Sequence, residues 1–274
     1  MTLPNFLIVG AMRSGTTSLT RHLRDHPDVF ISAVKELHYF DFEFSKGPEW
    51  YKSHFEAAVD QRAIGEATPN YLYFAEAMLR IRELLPSVKT VAILRNPVDR
   101  AYSHYWHNRS TGRETLGFAE AIAAEPRRLA VTDPRERALW SYTDRGHYLT
   151  QLERVVENFD RRRLLVLLFD DLAESPAKVY DSLRNFLGIE EMEPSASIDV
   201  PMNRFVASRS RLLRGLIKRA PKKLRPTLEV LNTKDDGTYP PMPAEVRHEL
   251  IDRFQEGNEK LGAWLGRDLG AWST

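Results

Sequence analysis

FLIVGAMRSGTTSL, Phe6–Leu19, opens with a short aliphatic run and closes on hydroxyl residues that lead into an amphipathic stretch. It reads as a buried strand, a tight loop and the first turns of a helix. Gly10 and Gly15 have the G-x-x-x-x-G spacing of a phosphate-binding loop. The next residue is Thr16, where a nucleoside triphosphatase carries lysine. A cation stands inside the loop instead, at Arg13. A strand–loop–helix unit turns free backbone N–H groups and the positive end of a helix toward an anion. A guanidinium at Arg13 suits the far end of a 5′-phosphate, or the atom that leaves it. A glycine-rich turn that holds no ligand is the competing reading.

Two further runs match the first. TVAILR (Thr90–Arg95) and LLVLLFD (Leu164–Asp170) are aliphatic without polar alternation, as expected of parallel strands covered on both faces. Helical patterns fill the gaps, at Ser14–Arg24, Ala75–Leu85, Val98–Asn108, Tyr148–Phe159, Ser175–Leu187 and Ala244–Leu265, the last with a break expected near Gly257. Ser175-Pro176 reads as a helix start and Gly188 as its end. Alternating strands and helices predict an α/β P-loop-type fold, a central, mainly parallel β-sheet flanked by helices, as one domain over residues 1–274. Ser195–Val200 is the best candidate for a long internal connection, and Arg109–Ala138 reads as variable loop.

The 274 residues carry a net charge of +1, which argues against a bulk polyanion binder such as a nucleic-acid protein. There is no cysteine, so neither a disulfide nor a thiolate metal site is available. The N-terminus enters the first strand without a basic or long apolar leader, and no window approaches a membrane span. The expectation is a cytoplasmic protein.

Two more segments bear chemistry. In LRNPVDRAYSHYWH, Arg95 falls at a strand's C-terminal end and Ser103 about two turns into the next helix. Ligands of open α/β sheets bind at strand ends, so the pair suits a second phosphate distinct from the first. A capping arginine and a surface serine are the alternative. In SAVKELHYFD, Glu36, His38 and Asp41 are three titratable groups close together. In an extended chain Glu36 and His38 point to one face, where a carboxylate beside an imidazole serves as a general base. A metal site competes, but no other histidine or carboxylate falls at convincing ligand spacing.

Taken in order, these segments resemble the PAPS-dependent sulfotransferases, in particular the heparan-sulfate-type domain and its bacterial relatives. FLIVGAMRSGTTSL resembles the loop that holds the 5′-phosphosulfate of 3′-phosphoadenosine 5′-phosphosulfate (PAPS), KELHYFD the segment with the catalytic base, and LRNPVDRAYSHY the signature that binds the 3′-phosphate. EWYKSHF, GEATPNYLY, YLTQLERVVENF, LLVLLFDDL, TKDDGTYPPM (Thr233–Met242) and WLGRDLGAW resemble the remaining stretches. The resemblance implies that Arg13, Ser14, Gly15, Thr16 and Thr17, with Ser18 adjoining, hold the 5′-phosphosulfate, and that Arg95 and Ser103 hold the 3′-phosphate. It implies Glu36 as the base, with His38 and Asp41 supporting base and acceptor, and no metal. Lys234, Gly237, Thr238 and Tyr239 correspond to the loop that closes over the nucleotide, and Arg209 to an arginine near the donor.

Three residues depart from the family pattern. Arg13 stands where lysine is usual, and arginine cannot donate a proton at neutral pH. Ala67 stands where a substrate-contacting lysine is common, which argues against a heparan-like acceptor. Two aspartates separate Lys234 from Gly237 where the family has a compact Lys-Gly-Arg. The implied reaction moves a sulfuryl group from PAPS to the hydroxyl, less readily the amine, of a carbohydrate, glycolipid or small metabolite. A P-loop kinase or triphosphatase competes, with LLVLLFDD imitating a metal-binding strand through Asp170 or Asp171. So does a non-catalytic module that binds 3′-phosphoadenosine 5′-phosphate (PAP).

Between Val200 and Leu228 every charged residue is basic. Leu212, Leu213, Leu216 and Ile217 share one face of a helix predicted there. Such a basic amphipathic helix can meet an anionic membrane or substrate, giving the basic segment 204–225 a peripheral membrane contact, or it packs its apolar face on the domain.

Overall fold

A computed structural model describes residues 2–190 and 240–274 in full, and the backbone of two further strands, Phe205–Ser208 and Thr233–Gly237. The strands are β1 (Phe6–Gly10), β2 (Val29–Ile31), β3 (Ala63–Ala67), β4 (Lys89–Leu94), β5 (Leu164–Leu168), β6 (Phe205–Ser208) and β7 (Thr233–Gly237). The helices are α1 (Thr16–Arg24), α2 (Gly47–Ser53), α3 (Ala75–Leu84), α4 (Pro97–Ser110), α5 (Phe118–Leu129), α6 (Pro134–Trp140), α7 (Tyr148–Asn158), α8 (Phe169–Glu174), α9 (Pro176–Leu187) and α10 (Ala244–Leu265).

The main sheet runs β2-β3-β1-β4-β5, all parallel. Every residue of β1 is buried. Leu7 and Val9 enter one apolar layer, with α3, α7 and the chain's end at Trp272. Phe6 and Ile8 enter the other, with α1, α8 and α9. Continuous apolar strands are what such two-sided cover requires. A third cluster joins α4, α5 and α10 through Val98, Tyr105, Ile122, Leu250 and Phe254. The expected α/β sheet flanked by helices is the one found.

β2 and β3 were not among the predicted strands. β2 has three residues, too few for a pattern. β3 reads Ala-Ile-Gly-Glu-Ala, with a buried carboxylate where an aliphatic is expected. Its glycine is a packing requirement: a Cβ on Gly65 would lie 2.5 Å from the Phe6 carbonyl oxygen.

Other differences have local causes. The strand expected over Leu164–Asp170 ends at Leu168, level with Leu94 of β4, and Phe169 begins α8. Arg109–Ala138 is not mainly loop: it holds α5 and the start of α6, each opened by a residue suited to a helix N-terminus, Gly117 and Asp133. α10 continues through Gly257, where Phe254 and Leu261 hold both flanking turns in the core. Part of the loop expected over Thr233–Met242 is strand β7, antiparallel to β6 with Lys234 opposite Ala207. The basic segment 204–225 begins as strand, since Phe205–Ser208 is β6; the rest of it, with Arg209, the Ser195–Val200 connection, Thr238 and Tyr239, lies outside the described residues.

Candidate active site

The β1–α1 turn is built by two positive-φ residues, Arg13 at 71° and Gly15 at 98°. Glycine meets the second without cost; arginine at the first is strained, by about 1–2 kcal/mol. Gly15 is the N-cap of α1, and having no side chain it cannot satisfy the first-turn N–H groups. The first turn has no acid, only Thr16, Thr17 and Ser18. Ser14 and Thr16 are buried under the turn. Uncapped N–H groups, no nearby acid in that turn and a strained guanidinium suit a dense anion, so the chain's own residues fit a phosphosulfate.

Arg13, Arg95 and Ser103 come together across the end of the sheet. Arg13 Nε donates to Ser103 Oγ at 3.1 Å, and Ser103 is buried. Arg95 donates from Nη1 to the Arg13 carbonyl at 3.5 Å, and its guanidinium lies 4.8 Å over the Phe169 ring. Tyr148 OH donates to the Arg95 carbonyl at 2.8 Å and fixes the strand end. The two anion regions expected to be distinct therefore adjoin through Arg13 and Ser103. Ser103 is not a surface serine.

Glu36, His38 and Asp41 also converge, but not by the expected route. The segment is not extended: Glu36 and His38 both have φ 54°. His38 Nε2 lies 3.7 Å from Glu36 Oε2, and His38 Nδ1 donates to Asp41 Oδ2 at 2.9 Å. Asp41 is fully buried and accepts a second bond from Asn70 Nδ2 at 2.6 Å. Asn70 in turn accepts from the buried Arg145, whose Nε donates to Ser141 at 2.6 Å. Asn70 and Arg145 escaped the sequence reading, although Asn70 lies in the GEATPNY stretch.

Burial alone would lower the His38 imidazole, but its bonds to Asp41 and Glu36 outweigh burial and push it up to about 9. Burial works against the Glu36 carboxylate, yet His38 and Lys35 together hold it below the usual range. At neutral pH the pair is imidazolium and carboxylate, so Glu36 is the group free to take a proton. Charged His38 stabilises the fold fully below its ordinary 6.5, and this contribution is lost as pH rises through about 9. An NMR titration of the His38 ring is expected to show its transition near 9; a midpoint at the ordinary value would mean the contacts do not hold in solution.

A shallow open cleft is lined by Thr16, Thr17 and Thr20 of α1 together with Ser32, Lys35 and Glu36 of the base segment. The proposed base and the first turn of α1 therefore border the same opening. Asp170 and Asp171 are occupied elsewhere: Trp272 Nε1 donates to Asp170 at 2.7 Å, and Arg267 pairs with Asp171 through both terminal nitrogens. Lys234 and Gly237 lie on β7, described by backbone alone.

Comparison with known proteins shows the family. The family model described as a sulfotransferase domain matches residues 3–203. The chain belongs to the sulfotransferase family. A crystal structure of a sulfotransferase from Alicyclobacillus acidocaldarius is 30% identical, covers 100% of both chains and superposes with a TM-score of 0.76. Human heparan sulfate glucosamine 3-O-sulfotransferase 3B1 is 28% identical over 98% of this sulfotransferase chain and 65% of its own length. Mouse bifunctional heparan sulfate N-deacetylase/N-sulfotransferase 4 is 29% identical over 98% of this chain and 31% of its own. This sulfotransferase domain thus spans less than two thirds of the length of these curated relatives. Among its described residues no helix is long and apolar enough to cross a membrane.

Proposed function

We propose that this sulfotransferase, acting as one domain over residues 1–274, transfers a sulfuryl group from PAPS to the hydroxyl of a carbohydrate or small-molecule acceptor. The observation that carries this reading is the shared cleft, lined both by Glu36 and by Thr16 and Thr17 of the N-terminal turn of α1. PAPS supplies the activated sulfuryl group. Glu36 takes the acceptor proton. His38, held by Asp41, keeps Glu36 ionised and oriented. The loop N–H groups, Thr16 and Arg13 stabilise charge on the departing phosphate oxygen. Arg95 and Ser103 hold the 3′-phosphate, the group that separates PAPS from ATP.

The curated relatives are named for heparan sulfate, but Ala67 withholds a cation from the acceptor side, which supports a less anionic acceptor here. A kinase or triphosphatase is disfavoured by the lysine-free loop and by the engagement of Asp170 and Asp171 with the chain's end. Calorimetry is expected to find PAP binding without magnesium and much more tightly than Mg-ATP; the reverse order would sink the sulfotransferase reading. Labelled PAPS with cell extract, followed by mass spectrometry for added sulfate, identifies the acceptor.

A further inference from the structure

The reaction as described leaves the buried carboxyl of Glu66 without a role. Glu66, on β3, is 1% exposed and accepts three hydroxyl hydrogen bonds. Thr68 Oγ1 donates to Oε2 at 2.6 Å, while Tyr71 OH and Tyr51 OH donate to Oε1 at 2.8 and 3.2 Å. No lysine or arginine is among its hydrogen-bonding partners in the described residues, and burial pushes it up to about 7 against the pull of the three hydroxyls. An apolar side chain would fill a sheet interior without this desolvation cost.

The hydroxyls connect Glu66 to the base segment. His38 N–H donates to Thr68 Oγ1 at 3.4 Å, and Tyr39 N–H donates to Tyr71 OH at 3.0 Å. A hydroxyl has one proton, and an ionised carboxylate only accepts. By taking the protons of Thr68 and Tyr71, Glu66 turns their lone pairs toward the two amides. These amides bracket His38, one of two left-handed residues in the segment, with Glu36, the other, two positions before it. Such strain persists only where the surroundings over-determine it.

We infer that Glu66 is a positioning residue of the transfer reaction: through Thr68 and Tyr71 it grips the His38 and Tyr39 amides and so aims the Glu36 carboxylate into the cleft. The inference rests on Glu36 being the base. Tyr51 supplies an internal control. Its hydroxyl meets the same Glu66 oxygen but bonds no amide of the base segment.

Tyr71→Phe and Tyr51→Phe each remove one hydroxyl from Glu66 and keep the ring. The probe is PAPS with water as acceptor, read as sulfate release, alongside PAP affinity, thermal midpoint and exchange of the Tyr39 amide. Tyr71→Phe is expected to lower kcat about tenfold, leave PAP affinity within about twofold and speed the amide's exchange. Tyr51→Phe is expected to lower the thermal midpoint comparably and leave kcat within about twofold. Equal kcat losses in both variants, or unchanged kcat in Tyr71→Phe, would overturn the inference. Glu36→Gln in the same assay separates the causes. If it turns over normally, the Glu36 reading fails and the inference with it; if it is inactive while Tyr71→Phe is fully active, only the inference fails.

Discussion

Glu36→Gln is expected to lower PAPS turnover by roughly 10²–10⁴-fold, the range that a positioned general base supplies. Glutamine has nearly the same shape and leaves His38 its neighbour, so the backbone at φ 54° and the cleft persist. What it loses is the ability to accept a proton. PAP affinity is expected to hold, because Glu36 belongs to the base segment and not to the loop proposed to receive the nucleotide. Turnover is measured by PAP release and affinity by calorimetry. Wild-type turnover in this variant would remove Glu36 from the role of base.

Arg13→Ala is expected to cost roughly 10²–10³-fold in kcat, the usual loss when one preorganised stabiliser of transition-state charge is removed. It also strips Ser103 of its 3.1 Å partner, so PAP affinity falls as well. Arg13→Lys is the informative companion. Lysine keeps the charge and can give up a proton, which arginine cannot. Activity close to wild type would mean that charge alone is needed at the leaving oxygen. Activity above wild type would mean that proton delivery limits the reaction in the natural sequence. Activity as low as that of Arg13→Ala would show that the guanidinium's directed Nε contact to Ser103, rather than charge, is what Arg13 contributes.

The central strands were legible because their runs are apolar where both faces are covered, and the loop between β1 and α1 because of its glycine spacing; that Arg13 takes a positive φ without being glycine was not legible. β3 broke the apolar pattern at Gly65 and Glu66. The first avoids the Phe6 carbonyl and is explained only once β1 lies alongside; the second serves a buried hydroxyl cluster that exists only once Tyr51 of α2 and Tyr71 fold onto β3. Glu36, His38 and Asp41 were nameable by spacing and resemblance, but not their geometry. An extended segment and a left-handed one both bring Glu36 and His38 together, and only tertiary hydrogen bonds choose between them. Asn70 and Arg145 carry no motif. Their roles exist only because α7 and the 3₁₀ turn before it, Asp144–Gly146, pack against the loop after β3.

The strand order β2-β3-β1-β4-β5 has a consequence for how this molecule can be altered. Glu36, Asp41, Glu66, Asn70 and Tyr71 all lie along the stretch that threads β2 and β3. Arg95, Ser103 and Tyr148 follow β4, and β1 with its loop is the seam. Residues 29–74 therefore form a cassette: a chimaera that exchanges them with a relative moves the base together with most of its supports and leaves the nucleotide's seat with its original owner. The graft must match the seam at Phe6, Leu7 and Ile8 and keep the bridges that reach it from outside, among them Arg80 to the Phe40 carbonyl, Arg135 to Glu43, Tyr73 to Asp144 and Arg145 to Asn70.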